Sequence, residues 1–172
     1  MCSIVPRQTA PTGETILPIR PVRNKDATGL VDLIERCFSE YHGVVVEPDG
    51  IDGDLRAYAT ALEKSGGEGF VLEESGQIVG LVSGVLLSDD RYQLKRIYLD
   101  ASLRGSGMGE KMLRLIEGRA RASGAVSIEL WSDTRFTRAH RFYERVGFAQ
   151  TGAVRELDDL SNSVEFHFVK KL

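Results

Sequence analysis

The chain has 172 residues, 42% of them apolar and 27% charged, with a formal net charge of −3. That balance fits a single globular domain and lacks the basic footprint of a nucleic-acid binder. No stretch approaches the roughly 18 consecutive apolar residues of a membrane span. Two cysteines, Cys2 and Cys37, make no disulfide framework, so a reducing, cytoplasmic setting is the expectation. The N-terminus lacks the cationic start and apolar core of a signal peptide. Residues 1–14, with Pro6, Pro11 and Gly13, read as a flexible leader to one domain over 15–172.

"TILPIRPV" alternates apolar and polar residues and reads as a short strand. Asn24 and Asp26 are cap candidates for a helix in "DATGLVDLIERCFSEYH", where Ala27, Leu30, Ile34, Cys37, Phe38 and Tyr41 recur at helical spacing. The loop "GVVVEPDGIDGD" leads to a second helix, "LRAYATALEKSG", with Leu55, Tyr58 and Leu62 on one face and Gly66 at its end. "GFVLEESGQIVGLVSGVLL" reads as a hairpin turning at "ESGQ". In the next strand, "RYQLKRIYLD", strict alternation puts Tyr92, Leu94, Arg96 and Tyr98 on one face. Gln93, Lys95, Ile97 and Leu99 then take the other.

"LRGSGMGEKML" opens a glycine-dense turn and runs into a helix, with Met108, Met112, Leu115, Ile116 and Arg119 on one stripe and Gly124 closing it. A strand "VSIELW", a helix "TRAHRFYERVG" and two strands, "FAQTGAVRE" and "SVEFHFVKKL", complete the order. The run 92–131 is strand, turn, helix, strand: a parallel crossover in an otherwise antiparallel, mixed α/β (α+β) arrangement.

A glycine-rich turn at a helix N-terminus presents free backbone N–H groups and the positive end of the helix dipole, so phosphate is its natural guest. The Walker spacing fails, since no Gly-Lys-Ser/Thr follows. The dinucleotide fingerprint fails at Glu110, where a third glycine is required. The pattern [RQ]-x-x-G-x-[GA] does match, as Arg104-Gly105-Ser106-Gly107-Met108-Gly109.

That motif resembles the acyl-CoA pyrophosphate loop of the GNAT N-acetyltransferase superfamily. "AHRFYERVGF", residues 139–148, is similar to the family's later helix signature, A-x-x-[FL]-Y-x-x-x-G-F. The resemblance covers about 16–170. It implies a central, mostly antiparallel sheet of about seven strands with a splayed parallel pair, flanked by about four helices. It also implies acetyl-CoA as cosubstrate, with no metal, and acetyl transfer directly to a primary amine.

By the same resemblance, Ile97, Tyr98 and Leu99 lie on one lip of the splay, their backbone pairing with the pantetheine amides. The Leu99 N–H or a neighbour polarises the thioester. Residues Arg104, Gly105, Ser106, Gly107, Met108 and Gly109 hold the pyrophosphate, and the Tyr143 hydroxyl protonates the departing thiolate. The family often carries an asparagine seven residues before the tyrosine. Here Phe136 stands there, to pack on the pantetheine or to cap the helix hydrophobically. His140, Glu129, Asp133 and Asp100 are candidate bases, beside a water chain.

The acceptor is expected to be a small-molecule primary amine such as an amino acid or polyamine. A peptide or protein amine, or a non-catalytic acyl-CoA-binding module, are the competing readings. Glu47, Asp49, Asp52 and Asp54 form either an attractant for a cationic amine or a solvated Pro-Asp-Gly turn. Lys95 and Arg96, on opposite faces, either offer one cation to a substrate carboxylate or pair with cofactor phosphate or surface groups. Cys37, on an apolar helix stripe, is placed away from the chemistry. The polar stretch 157–165 flanks the acceptor site, and no nucleic acid or membrane is expected as partner. Homodimers are common among such proteins.

Overall fold

A computed structural model describes residues 17–172. The leader expected over 1–14, and Cys2 with it, lies outside the described residues.

The strands are β1 (Ile19–Pro21), β2 (Gly67–Glu74), β3 (Gln77–Ser88), β4 (Arg91–Leu99), β5 (Ser127–Asp133), β6 (Ala149–Glu156) and β7 (Val164–Lys171). The helices are α1 (Ala27–Phe38), α2 (Tyr58–Lys64), α3 (Met108–Ala122) and α4 (Thr137–Arg145). The strands form one sheet in the order β1-β2-β3-β4-β5-β7-β6. All neighbours are antiparallel except β4 and β5, as the crossover over 92–131 requires. The β2–β3 turn uses Ser75 and Gly76, both at positive φ, a geometry whose twist matches that of the strands it joins.

Two apolar layers cover the sheet. Leu30, Leu33 and Ile34 of α1 pack with Tyr58 and Leu62 of α2 on one face. Met112, Leu113, Ile116 and Ala120 of α3 pack with Leu130, Tyr143 and Phe168 on the other. Arg119, assigned to the α3 stripe, is exposed instead, and Glu117 takes the buried position.

The strict alternation expected along β4 fails. Ser83 pairs with Arg96 but Gly84 pairs with Leu94, so Lys95 is an extra residue that makes a β-bulge. Before it, Tyr92 and Leu94 face the α3 layer; after it, Ile97 and Leu99 do. Arg96 and Tyr98 turn to the α1 side. The inserted residue shifts the period-two pattern by one, which exchanges the two faces.

Candidate active site

The parallel β4–β5 ladder is short. It pairs Arg91, Tyr92 and Gln93 with Ser127, Ile128 and Glu129, and stops there. β4 continues to Leu99 and β5 to Asp133, so the two strands part toward their C-terminal ends. A cleft of about 500 Å³ fills the gap, lined by Ile97, Leu99, Gly107, Trp131, Phe142 and Tyr143 among others. A second cavity, about 300 Å³, adjoins it on the α1 side, and Tyr98, Trp131, Asp133, Phe136 and Glu165 line both.

Hydrogen-bond alternation decides which backbone groups face the gap. The Asp100 N–H donates to the Val79 carbonyl at 2.9 Å. In an antiparallel pair the next bonded position is Leu81 with Tyr98, while Leu99 and Ile97 turn their N–H and C=O groups the other way. Ile97 and Leu99 therefore aim their amides at the gap. Tyr98 spends its backbone on β3 and contributes its ring, edge-on to Phe38 at 5.8 Å.

The glycine turn lies at the cleft's end, where Gly105, Gly107 and Gly109 are all lining residues. Gly105 (φ +76°) and Gly107 (φ +79°) adopt a left-handed backbone that only glycine enters without strain. Gly107 is the N-cap of α3, with no side chain bonded to the helix end. The first helical bond runs from Lys111 N–H to the Gly107 carbonyl, which leaves the N–H groups of Met108, Gly109 and Glu110 without helical acceptors. Gly109 is different. A Cβ there would meet only Phe142 at 3.5 Å and Leu99 at 4.0 Å, both cleft residues, so the fold itself does not demand glycine. Ser106 turns its hydroxyl inward to the Leu103 carbonyl at 2.6 Å.

Arg104 points back from the turn. Its Nε donates to the Leu99 carbonyl at 3.2 Å and its Nη1 to Glu40 at 2.8 Å. Glu40 also accepts from Arg138 of α4 at 2.7 Å, so one carboxylate joins the two sides of the splay. Phe136 stacks with Phe38 (5.6 Å) and Tyr41 (4.7 Å), which ties the end of α1 to the start of α4. Neither bridge has a local signature in the sequence.

Tyr143 is buried among Phe142, Phe148 and Phe168, with the cleft on its open side. Burial holds its phenol well above the ordinary value, opposed by the nearby Ser132 hydroxyl. His140 Nε2 lies 3.2 Å from Ser132 Oγ, and burial lowers its pKa, opposed more weakly by the Asp133 backbone and then by the charges of Glu144 and Asp133. Cys37, placed away from the chemistry by its stripe, lines the cleft, with Sγ 3.7 Å from the Leu99 carbonyl. Burial pushes that thiol up, outweighing Arg104, and disfavours the thiolate a covalent carrier requires.

The acidic loop is not a solvated turn throughout. Asp52 accepts from Arg96 at 2.8 Å and from the Glu47 N–H at 3.0 Å. Asp54 accepts from Arg96 at 2.8 Å and lies 3.3 Å from Lys95. Lys95 and Arg96 thus converge on one carboxylate instead of taking opposite faces, a consequence of the bulge. Only Asp49, paired with Arg56, keeps the exposed character expected of the turn. The other candidate bases are also engaged. Asp100 accepts from Arg36 at 2.9 Å, and Glu129 lies 3.7 Å from His167.

The Acetyltransferase (GNAT) family profile matches residues 28–148, most of the described chain. The chain belongs to the GNAT family. It is 27% identical over 141 residues to an uncharacterized N-acetyltransferase, MJ1207, of Methanocaldococcus jannaschii, covering 78% of this chain and 62% of that one. It is 25% identical over 107 residues to N-acetyltransferase family 8 member 2 of Rattus norvegicus, covering 59% of this chain and 47% of the relative. The chain therefore spans less than two thirds of these relatives' lengths.

Solved acetyltransferase structures share the fold. An acetyltransferase from Streptococcus agalactiae superposes with a TM-score of 0.77 at 23% identity, over 91% of this chain and 98% of that one. The PaiA N-acetyltransferase of Thermoplasma acidophilum, solved in complex with coenzyme A, gives 0.68 at 18% identity, over 92% and 100%. Among the described residues, no helix is long and apolar enough to cross a membrane.

Proposed function

We propose that this protein transfers an acetyl group from acetyl-CoA to the primary amine of a small molecule. The observation that carries this reading is the splay. Two parallel strands part to leave the amides of Ile97 and Leu99 aimed into a cleft that ends on the uncapped N-terminus of α3. An extended, amide-bearing arm with an anionic end matches both features: strand-like pairing along β4 and anion binding at the helix dipole.

On this reading, residues 104–109 hold the pyrophosphate, chiefly through the free N–H groups of Met108 and Gly109 at the start of α3. Ser106 contributes backbone only. Ile97 and Leu99 bind the pantetheine amides, and the Leu99 N–H polarises the thioester and stabilises the developing oxyanion. Phe136 and Tyr98 supply apolar walls. Tyr143 donates its proton to the departing thiolate, and the proton shed by the amine as the C–N bond forms passes through solvent to restore the phenol. Among the described residues the cleft's cysteine is Cys37, whose thiol is pushed up by burial, which favours direct transfer over a covalent carrier.

The test is calorimetric titration with coenzyme A, followed by thiol release from acetyl-CoA with small primary amines and with peptides. Micromolar coenzyme A binding and turnover of the small amines support the reading. Absence of binding overturns it, and turnover confined to peptides replaces the small-molecule acceptor.

A further inference from the structure

The two cavities meet at a short list of charged groups, and most of them are already spent. Asp133 and Glu165 are cross-strand partners on β5 and β7, so their side chains share a face, and both line both cavities. Asp133 is consumed by Arg135. Its Oδ1 accepts from the Arg135 backbone N–H and Nε, each at 2.8 Å, and its Oδ2 from Nη2 at 2.6 Å. Arg96 and Lys95 are held by Asp52 and Asp54.

Glu165 differs. Its side chain is 16% exposed, and Arg155 on the edge strand β6 bonds only Oε2, at 2.6 Å. Among the described residues no group engages Oε1. The Arg155 guanidinium lies 4.4 Å over the Trp131 ring, which sets it on one side of the carboxylate. Phe38, Tyr98, Trp131 and Phe136 line both cavities with it.

An acceptor oxygen among aromatic walls calls for a ligand with a donor head and an apolar body. We propose that Glu165 is the receptor for the acceptor substrate's amino group, which donates to Oε1, and that the substrate is a primary amine on an apolar, aromatic-sized body. This rests on the transfer reading above and names the class of acceptor for it. A carboxylate at the meeting of the two cavities holds the nitrogen where the cofactor cleft opens, and the aromatic walls desolvate the rest. A neutral alcohol of the same shape makes only an uncharged hydrogen bond there and an anion is repelled, so both are selected against.

The test uses phenethylamine and its isostere phenethyl alcohol as probes, titrated calorimetrically into the protein with coenzyme A present. The wild-type protein is expected to prefer the amine by about tenfold or more, because its ammonium form makes a charge-assisted bond where the hydroxyl makes a weaker one. Glu165→Gln, of nearly the same volume, is expected to erase that preference while the affinity for coenzyme A stays unchanged. Glu165→Asp is expected to keep part of it. In thiol-release assays the same variants are expected to raise the KM for phenethylamine with the KM for acetyl-CoA intact.

Equal affinity of wild type and Glu165→Gln for the amine would overturn the proposal, as would loss of coenzyme A binding in parallel. So would a wild type that fails to tell amine from alcohol. Amine binding without any thiol release would sink the transfer reading alone. Turnover of peptides but not phenethylamine would sink the acceptor class.

Discussion

Lys170 on β7 donates to Glu117 on α3 at 2.7 Å, and the Glu117 side chain is only 6% exposed. The pair links the crossover helix to the last strand across the layer that carries Tyr143. Glu117→Ala leaves a half-buried ammonium without its partner, at a cost of about 3 kcal/mol. The double variant Glu117→Leu with Lys170→Leu removes both charges and is expected to recover most of that loss. Urea unfolding midpoints of the two single variants and the double variant provide the check.

Gly109 and Gly107 separate a requirement of the fold from one of the ligand. Gly109 has room for a methyl group in ordinary contact with Phe142, so Gly109→Ala is expected to leave the unfolding midpoint within error. The added Cβ projects among cleft residues and is expected to raise the KM for acetyl-CoA tenfold or more. Gly107→Ala forces a left-handed alanine, costing about 1 kcal/mol of stability in addition to any effect on binding. Thermal melts beside initial-rate kinetics distinguish the two.

Tyr143→Phe is expected to lower kcat ten- to a hundredfold while the KM for acetyl-CoA holds. In the proposed transfer the missing hydroxyl acts on the leaving group and not on binding. Burial disfavours the phenolate, so the folded-state pKa lies above the ordinary ~10 and the donor form persists into alkaline solution. The wild-type kcat profile should therefore show no loss assignable to this residue up to about pH 10. A fall in kcat near pH 8 that vanishes in Tyr143→Phe would contradict the assignment.

Glu40 holds Arg104 and Arg138 together across the splay, with the Arg138 side chain 60% exposed. Exposed pairs contribute little individually, so the effect is sought in the cleft's geometry. Glu40→Gln is expected to raise the KM for acetyl-CoA a few-fold with kcat nearly unchanged. If the three residues act as one unit, adding Arg138→Gln to that variant has little further effect. Additive losses would show independent roles.

Asp26 is buried, which raises its pKa. Hydrogen bonds from the Arg20 guanidinium and the Arg23 N–H outweigh this, and the net shift is downward. A carboxylate depressed in the folded state contributes stability that is fully present above its unfolded value of ~3.9. That stability is lost as pH falls through the folded value. Stability is thus expected to be level above about pH 5 and to drop below pH 4, with a shallower acid slope in Asp26→Asn. Chemical denaturation across pH 2.5–6 measures both slopes.

Much of this protein could be read locally. The apolar spacing of Leu30, Ile34 and Cys37, the "ESGQ" turn and Gly66 marked elements that the structure contains, because helix periodicity and turn chemistry act over a few residues. The glycine turn and the tyrosine helix pointed to the family for the same reason, since each motif is one short contiguous segment. What stayed hidden depends on partners far along the chain. The bulge at Lys95 exists because Ser83 and Gly84 pair out of step with β4, and it turned Arg96 and Lys95 onto the same carboxylate. Arg104 belongs to the motif, yet its guanidinium answers to Glu40, and Cys37 reaches the Leu99 carbonyl only through the packing of α1 on β4. Glu165 gives no sign in its own neighbourhood. Its place at the junction was decided by strand order and by which neighbouring cations had already been taken. Sequence pattern thus determined which segments form and the shape of the glycine turn. Register, splay and charge pairing were decided by the assembled sheet, where the energies couple residues that no short window contains.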